Sequence, residues 1–167
     1  MQNAHIVSKG KFGVLDILGP VVEFLTDPHE PEAVFCMMLS TIRASVAVPL
    51  HSHRAVESFY VLSGAVQVLS DQESDFKWLD ARQGDFVHIP GNAKHAWRKT
   101  SSEPVQCLIT TTPEIGRFFQ EVGRPVVAGY RPHPPTPREL DHFARVAAQY
   151  RHWLGTQAEN AAVGIII

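Results

Sequence analysis

Short runs of strand-forming residues, separated by turn signals, dominate the sequence as far as residue 111. They recur at intervals of roughly 8–12 residues, which is the spacing of an all-β sandwich or barrel. The pattern therefore predicts a β-barrel core over residues 13–111. The individual runs predict strands at residues 13–18, 21–25, 33–39, 42–48, 57–62, 65–70, 77–81, 86–89, 94–99 and 105–111.

The composition changes after this β-rich region, and the pattern becomes helical. The predicted helices span residues 113–122 and 137–154. Thr136 and Glu139 are spaced as a capping box at the start of the second helix, whose apolar stripe is expected to pack on the barrel or on a partner subunit. Residues 156–167 are either frayed or an added edge strand.

The bulk composition excludes several classes of protein. A chain of 167 residues with 44% hydrophobic and 19% charged residues fits one globular domain, here residues 1–167, with its own core. The net charge of −2, with scattered Lys and Arg, argues against nucleic-acid and membrane partners. The first residues lack a signal-peptide core, so we expect a cytoplasmic protein. Cys36 and Cys107 lie in apolar runs and are expected to be buried, reduced thiols.

The stretch HSHRAVE, residues 51–57, is a candidate metal site. Side chains alternate along a strand, so His51 and His53 would face one way and could bind one ion. A straight strand would carry Glu57 about 13 Å beyond His53, whereas metal–ligand bonds are about 2 Å long. Glu57 can therefore be a ligand only if the chain bends at residues 54–56. An HxH pair alone arises by chance about once in two chains of this composition.

A second stretch, GDFVHIPGNAKHAW at residues 84–97, supplies a third histidine. Gly91 and Asn92 both tolerate positive φ and predict a turn, and His95 follows that turn at the start of a strand. Bringing His95 to residues 51–57 requires a long-range strand pairing. A β-barrel supplies such a pairing.

Taken together, the two stretches resemble the two motifs of the cupin superfamily. The motifs HxH(x)3E(x)6G and G(x)5P(x)4H are met by His51, His53, Glu57, Gly64, Gly84, Pro90 and His95. The resemblance covers about residues 33–111 and looks closest to small single-domain cupins related to quercetin dioxygenase. It implies an all-β double-stranded β-helix, a jelly-roll barrel of six to eight strands, here with a short C-terminal helical extension. It also implies one divalent metal ion held by three histidines and one glutamate: His51, His53, His95 and Glu57.

This ligand set indicates the chemistry to expect. Three neutral imidazoles and one carboxylate suit Fe, Mn, Ni, Co, Cu or Zn, and at six-coordination they leave two open positions. Such an ion acts as a Lewis acid or delivers electrons to oxygen, and Glu57 is the natural proton acceptor and candidate catalytic residue. We expect a metal-dependent oxygenase acting on a small oxygenated or aromatic substrate. A metal-dependent isomerase, lyase or decarboxylase, and a non-catalytic small-ligand-binding protein, stay open as alternatives.

Six further side chains are candidates for a substrate pocket: Met38, Arg43, Phe59, Phe86, His88 and Trp97. Phe59 continues the parity of Glu57 along the strand, so we expect it to face the barrel interior, as pocket wall or as core. Arg43 would anchor an anionic substrate, or would be a solvated residue. Apart from His88, the histidines that lie outside the two motifs are expected at the surface. His152 is one of them. Exposed sheet edges favour a homodimer.

Overall fold

Two antiparallel β-sheets build the protein, and the predicted all-β fold is confirmed. The structure is a computed structural model that describes residues 4–43, 46–72, 75–99 and 102–166. Within these residues, the first sheet has the strand order β11-β1-β2-β3-β10-β5-β8, and the second has the order β12-β4-β9-β6-β7. The strands are β1 Val14–Asp16, β2 Val21–Phe24, β3 Cys36–Ile42, β4 Ala47–Ser52, β5 Glu57–Ser63, β6 Ala65–Gln72, β7 Asp75–Arg82, β8 Phe86–Ile89, β9 His95–Lys99, β10 Val105–Thr111, β11 Arg124–Pro125 and β12 Trp153–Leu154.

The hydrophobic core lies between the two sheets. Met38 and Val61 from the first sheet pack in one cluster with Val68 and Trp97 from the second. Along β3, buried residues alternate with partly buried ones, as a strand with one face in the core requires. Full burial of a side chain of this size contributes roughly 1.5–3 kcal/mol, so this shared cluster holds the two sheets together.

Two consecutive predicted strands are displaced in the structure, and the first, predicted over residues 33–39, is found at Cys36–Ile42. The sequence pattern predicted a strand over residues 42–48, whereas β3 runs to Ile42 and β4 begins at Ala47. Seven residues of β3 pair in register with β10, and this pairing fixes where β3 ends. Residues 44–45, and residues 73–74 of the predicted 71–75 loop, lie outside the described part of the chain.

The helices follow the barrel and pack on each other. They are α1 Pro113–Val122, α2 Pro137–Gln149 and α3 Gln157–Ala162. The apolar side of α2 packs Val146 and Ala147 against Phe118 and Val122 of α1. Among the described residues, no helix is long and apolar enough to cross a membrane.

The predicted end of the second helix, at residue 154, is wrong. Arg151 has a φ of +58°, a left-handed conformation that stops the helix, and the backbone N–H of His152 donates to the carbonyl of Ala147 at 2.9 Å. Residues 153–154 then form β12. The capping box of Thr136 and Glu139 at the other end of α2 is confirmed.

The chain after α2 covers the free edge of β4 with β12, and the region from residue 156, expected to be frayed or an edge strand, contains helix α3 instead. In β12, Trp153 pairs with Ser52 and Leu154 pairs with His51. The backbone N–H of Gly155 donates to the carbonyl of Leu50 at 2.7 Å. An edge strand presents unpaired backbone groups, and β12 satisfies those of β4.

Asn160 in α3 completes this contact from a fully buried position. It is 0% exposed, and its Oδ1 accepts a hydrogen bond from the backbone N–H of Leu50 at 2.8 Å. Its Nδ2 donates to the carbonyls of Gly155 and Thr156 at 2.9 and 3.0 Å. All three hydrogen bonds therefore depend on one side chain, next to the strand that carries His51.

Candidate metal centre

The chain bends where a ligand role for Glu57 demands it, and the predicted bend at residues 54–56 is confirmed. β4 ends at Ser52 and β5 begins at Glu57, with no strand between them. The imidazole Nδ1 of His53 bonds to the carbonyl of Ala55 at 2.9 Å and so ties the ligand to the bend. The bend returns Glu57 towards the two histidines.

A turn ahead of His95 docks directly on this bend. The backbone N–H of Asn92 donates to the carbonyl of His53 at 2.7 Å. A Cβ atom at Gly91 would lie 2.3 Å from the carbonyl oxygen of Arg54, so only glycine fits there. Asn92, which stands where cupins often have glycine, takes the left-handed conformation with a φ of +66°. These contacts join the two sequence motifs in space.

The three motif histidines converge at this junction. His51 and His95 pair across β4 and β9, and their ring centroids are 4.1 Å apart. The His53 ring lies 5.2 Å from the His95 ring and 5.7 Å from the His51 ring. One nitrogen from each histidine lies within 4.8 Å of the other two, close enough for all three to bind one ion.

Glu57 places a buried carboxylate beside two of the three histidines, His53 and His95. Its Oε2 lies 3.3 Å from Nε2 of His53 and 3.6 Å from Nε2 of His95. Two ligand atoms that are each about 2.1 Å from one ion stand about 3.0–3.4 Å apart for right-angled to tetrahedral arrangements. The spacing of Glu57 and His53 is therefore that of two ligands of a common ion.

The hydrogen bonds of the histidines favour the tautomer that a metal requires. Nδ1 of His51, His53 and His95 each contacts a backbone carbonyl, at 2.8, 2.9 and 2.9 Å. A carbonyl only accepts, so each Nδ1 carries its proton and each neutral ring keeps a lone pair on Nε2. In the described part of the chain, Nε2 of His95 is buried without a hydrogen-bond partner. A metal ion at this position would satisfy that orphaned atom.

Electrostatics support the same assignment. Burial raises the pKa of Glu57, but the neighbouring imidazoles of His53 and His95 outweigh it and hold the pKa below its ordinary range. Burial, followed by the charges of His95 and His53, lowers the pKa of His51 to about 3. The site therefore offers an anionic carboxylate beside a neutral imidazole.

The candidate pocket residues divide into two groups. Met38, Phe59 and Trp97 are buried between the sheets, and the rings of Phe59 and Trp97 stack with centroids 4.4 Å apart. Arg43 is exposed in the connection after β3, away from the core cluster. Phe86 is 64% exposed and His88 is also exposed, with Nδ1 of His88 3.2 Å from Oγ of Ser58.

The strand register places Phe86 and Phe59, both candidate pocket residues, on opposite faces of the sheet. Phe59 pairs with Val87, and paired residues share one face of a sheet, so Val87 shares the inner face with Phe59. Phe86 and His88 consequently point out of the barrel. The parity of β8 could not be read from the sequence because it depends on the turn that precedes it.

Phe86 and His88 nevertheless border a groove that reaches the cluster. The groove has a volume of about 530 Å³ and runs along β6, β7, β8 and the turn before β9. His95 also lines it and is 1% exposed, whereas Phe86 is 64% exposed. The groove therefore runs from the surface towards a metal ligand.

His152 lies beside the cluster and was missed by the sequence reasoning, which expected it at the surface. Its ring centroid is 5.2 Å from that of His53 and 4.3 Å from that of Phe118. Burial, followed by the charge of His53, lowers its pKa to about 4. No spacing motif marks His152, because its position follows from β12 pairing with β4.

Comparisons with known proteins agree with this picture. Residues 38–111 match the family described as Cupin domain. A comparison with curated protein sequences found no match. Among solved structures, the DMSP lyase DddQ from Ruegeria pomeroyi is similar, with 23% identity and a TM-score of 0.42 over 47% of this chain and 38% of that chain.

Two further solved structures are similar over just over half of this chain. Oxalate decarboxylase from Bacillus subtilis, described with Mn(II) centres, has 19% identity and a TM-score of 0.49 over 55% of this chain and 25% of that chain. The Cnp3 cupin domain of Schizosaccharomyces pombe has 15% identity and a TM-score of 0.46 over 55% and 64% of the two chains. This chain therefore spans less than two thirds of each of the three proteins. Residues 38–111, which carry most of the two-sheet fold and the histidine cluster, are therefore similar to the family described as Cupin domain.

Proposed function

We propose that this protein is a metal-dependent enzyme whose divalent ion is held by four side chains: His51, His53, His95 and Glu57. The observation that carries the proposal is the set of three Nδ1–carbonyl contacts, which leave three Nε2 lone pairs beside one carboxylate. A cluster that served only packing would have no need for a buried, unpaired Nε2 on His95.

The groove next to His95 supports a small-molecule substrate. Its volume of about 530 Å³ falls in the range of small-ligand sites. Lys94 and Asp80 line it together with Phe86, so it offers charged and aromatic contacts to a substrate that carries oxygen atoms.

Within this proposal, the first reaction type is oxygenation of a small oxygenated or aromatic substrate. A bound ion of this ligand class supplies Lewis acidity or, if it is redox-active, electrons for O₂. The lowered pKa of Glu57 keeps its carboxylate anionic at neutral pH, as a metal ligand requires, and it would accept the substrate's proton only after swinging off the ion. His51, His53 and His95 would hold the ion, and with it the ion's positive charge, in a fixed position.

A second reaction type, isomerisation or lysis without oxygen, is favoured by the same carboxylate. Glu57 is a buried anionic base next to the expected ion, and abstraction of a proton beside a polarised carbonyl needs nothing more. This alternative works with a redox-inactive ion such as Zn. Its turnover would not depend on O₂, and this distinguishes it from the oxygenase.

Metal content tests the proposal. We expect protein purified without added metal to carry one divalent ion per chain by mass spectrometry, and His95→Ala and His51→Ala to carry none. The matched control is His133→Ala, an exposed histidine that should leave the metal content unchanged. Metal that persists in both cluster variants would refute the site.

The reaction type needs a separate measurement. The iron-loaded protein is mixed anaerobically with small carboxylic, hydroxy and phenolic compounds, and air is then admitted while dissolved O₂ is recorded. Substrate-dependent O₂ uptake supports the oxygenase, and turnover without O₂ in the zinc-loaded protein supports the second type. Absence of turnover with every metal would leave a ligand-binding protein and would overturn both.

A further inference from the structure

His152 stands next to the metal cluster, yet it comes from a part of the chain outside the cupin match. The match ends at residue 111, whereas His152 follows α2. The pairing of Trp153 with Ser52 and of Leu154 with His51 continues, by antiparallel register, to His152 opposite His53. The position of His152 is therefore set by backbone pairing with the ligand strand itself.

The ring of His152 is held between two neighbours. Phe118 of α1 packs on it with centroids 4.3 Å apart, and His53 lies 5.2 Å away at a tilt of 47°. Phe118 is buried and belongs to the cluster that joins α1 and α2. The packing of Phe118 against His152 therefore keeps the His152 ring next to the metal ligand His53.

The nitrogens of His152 are available to a ligand. Within the described part of the chain, the His152 side chain makes ring contacts and no described hydrogen bond. The fully buried side-chain atoms without a partner there are Nε2 of His95 and Oγ1 of Thr112, so the nitrogens of His152 are not fully buried. A neutral imidazole offers one donor and one acceptor to a ligand beside it.

The distance from the cluster suits contact with a bound ligand rather than with the ion. His152 is not among the histidines whose nitrogens lie within 4.8 Å of one another. A ligand atom bound about 2 Å from an ion and hydrogen-bonded at about 2.9 Å places its partner one layer further out. His152 lies next to His53 and outside the group of nitrogens that could bind the ion, as a residue contacting a bound ligand would.

We propose that His152 is a substrate-binding residue that hydrogen-bonds an oxygen atom of a small carboxylate or related oxyanion held at the metal. The inference rests on the proposed function, since it needs an ion at the cluster. It adds a ligand class and a residue from the region that follows the cupin match. The role is distinct from metal binding, which stays with His51, His53, His95 and Glu57.

Binding of acetate to the cobalt(II)-loaded protein tests this role without measuring turnover. Cobalt stoichiometry and affinity are measured first, and acetate affinity is then measured by calorimetry and by the visible spectrum of the ion. In His152→Phe, which keeps a ring against Phe118 but removes both nitrogens, we expect unchanged cobalt binding and about tenfold weaker acetate binding, the loss of one hydrogen bond to a charged group. His152→Gln should recover part of the affinity, and His133→Phe should match the wild type.

The outcomes separate the two proposals. If the wild type binds no cobalt, the metal site itself fails, and this inference fails with it. Given cobalt binding, acetate affinity in His152→Phe within twofold of the wild type overturns the role of His152, and so does loss of cobalt in that variant or absence of acetate binding to the wild type. Should His152→Phe lose its circular dichroism signal, His152→Leu takes its place in the same comparison.

Discussion

Replacing Asn160 with alanine should destabilise the protein by about 3 kcal/mol. The change leaves the buried N–H of Leu50 without an acceptor, which costs roughly 1–3 kcal/mol, and removes two donated hydrogen bonds worth roughly 0.5–1.5 kcal/mol each. Because Asn160 is 0% exposed, water cannot replace these partners. For a chain of this size the loss corresponds to a fall in Tm of about 6–12 °C.

The assay is urea unfolding of the metal-free protein in EDTA, followed by circular dichroism and by calorimetry. Gln149→Ala is the matched control, because Gln149 is exposed at the end of α2 and its loss should stay within about 0.5 kcal/mol. The metal-loaded Asn160→Ala variant should also bind its ion more weakly, since Leu50 adjoins His51. A loss below about 1 kcal/mol, with unchanged metal affinity, would refute the view that α3 anchors the ligand strand.

Three further predictions concern the turn, the titrating groups and the assembly. Gly91→Ala should cost about 2–4 kcal/mol and weaken metal binding, because its Cβ would meet the Arg54 carbonyl; normal Tm and metal content would contradict this. In EDTA, stability should fall as the pH drops from about 6.5 to 3, because the unfolded chain protonates at His51 while the folded chain, with a pKa of about 3, does not. His51→Gln should reduce that fall by up to about 5 kcal/mol in urea titrations, and equal slopes in the two proteins would refute the assignment. Light scattering should report a homodimer in which Phe86, on the exposed edge strand β8, is buried. The variant Phe86→Glu should then be a monomer, and a monomeric wild type would contradict this expectation.

The cluster was predictable because its geometry follows from local rules. Two histidines on one strand share a face, and Glu57 reaches them only through a bend, which the structure contains at residues 54–56. Gly91 and Asn92 signalled the turn that delivers His95. Each of these inferences depends on a few neighbouring residues and on one family resemblance.

The missed features depend on contacts between distant residues. The outward direction of Phe86 follows from the register of β8 on β5, which a run of four residues does not encode. The helix over residues 137–149 stops at Arg151 in a left-handed conformation, although the apolar stripe continues as far as residue 154. His152 lies next to His53 because residues 153–154 pair with the free edge of β4.

The pairing of Leu50 with Asn160 also sets an order of events during synthesis. The two residues are 110 positions apart in the chain. At about 5–20 residues per second, a ribosome needs roughly 6–20 s to add the intervening residues. For most of that interval the strand bearing His51 has an open edge, because β12 has not yet been made. The ligand strand is therefore closed on this side only after β12 and α3 have been synthesised.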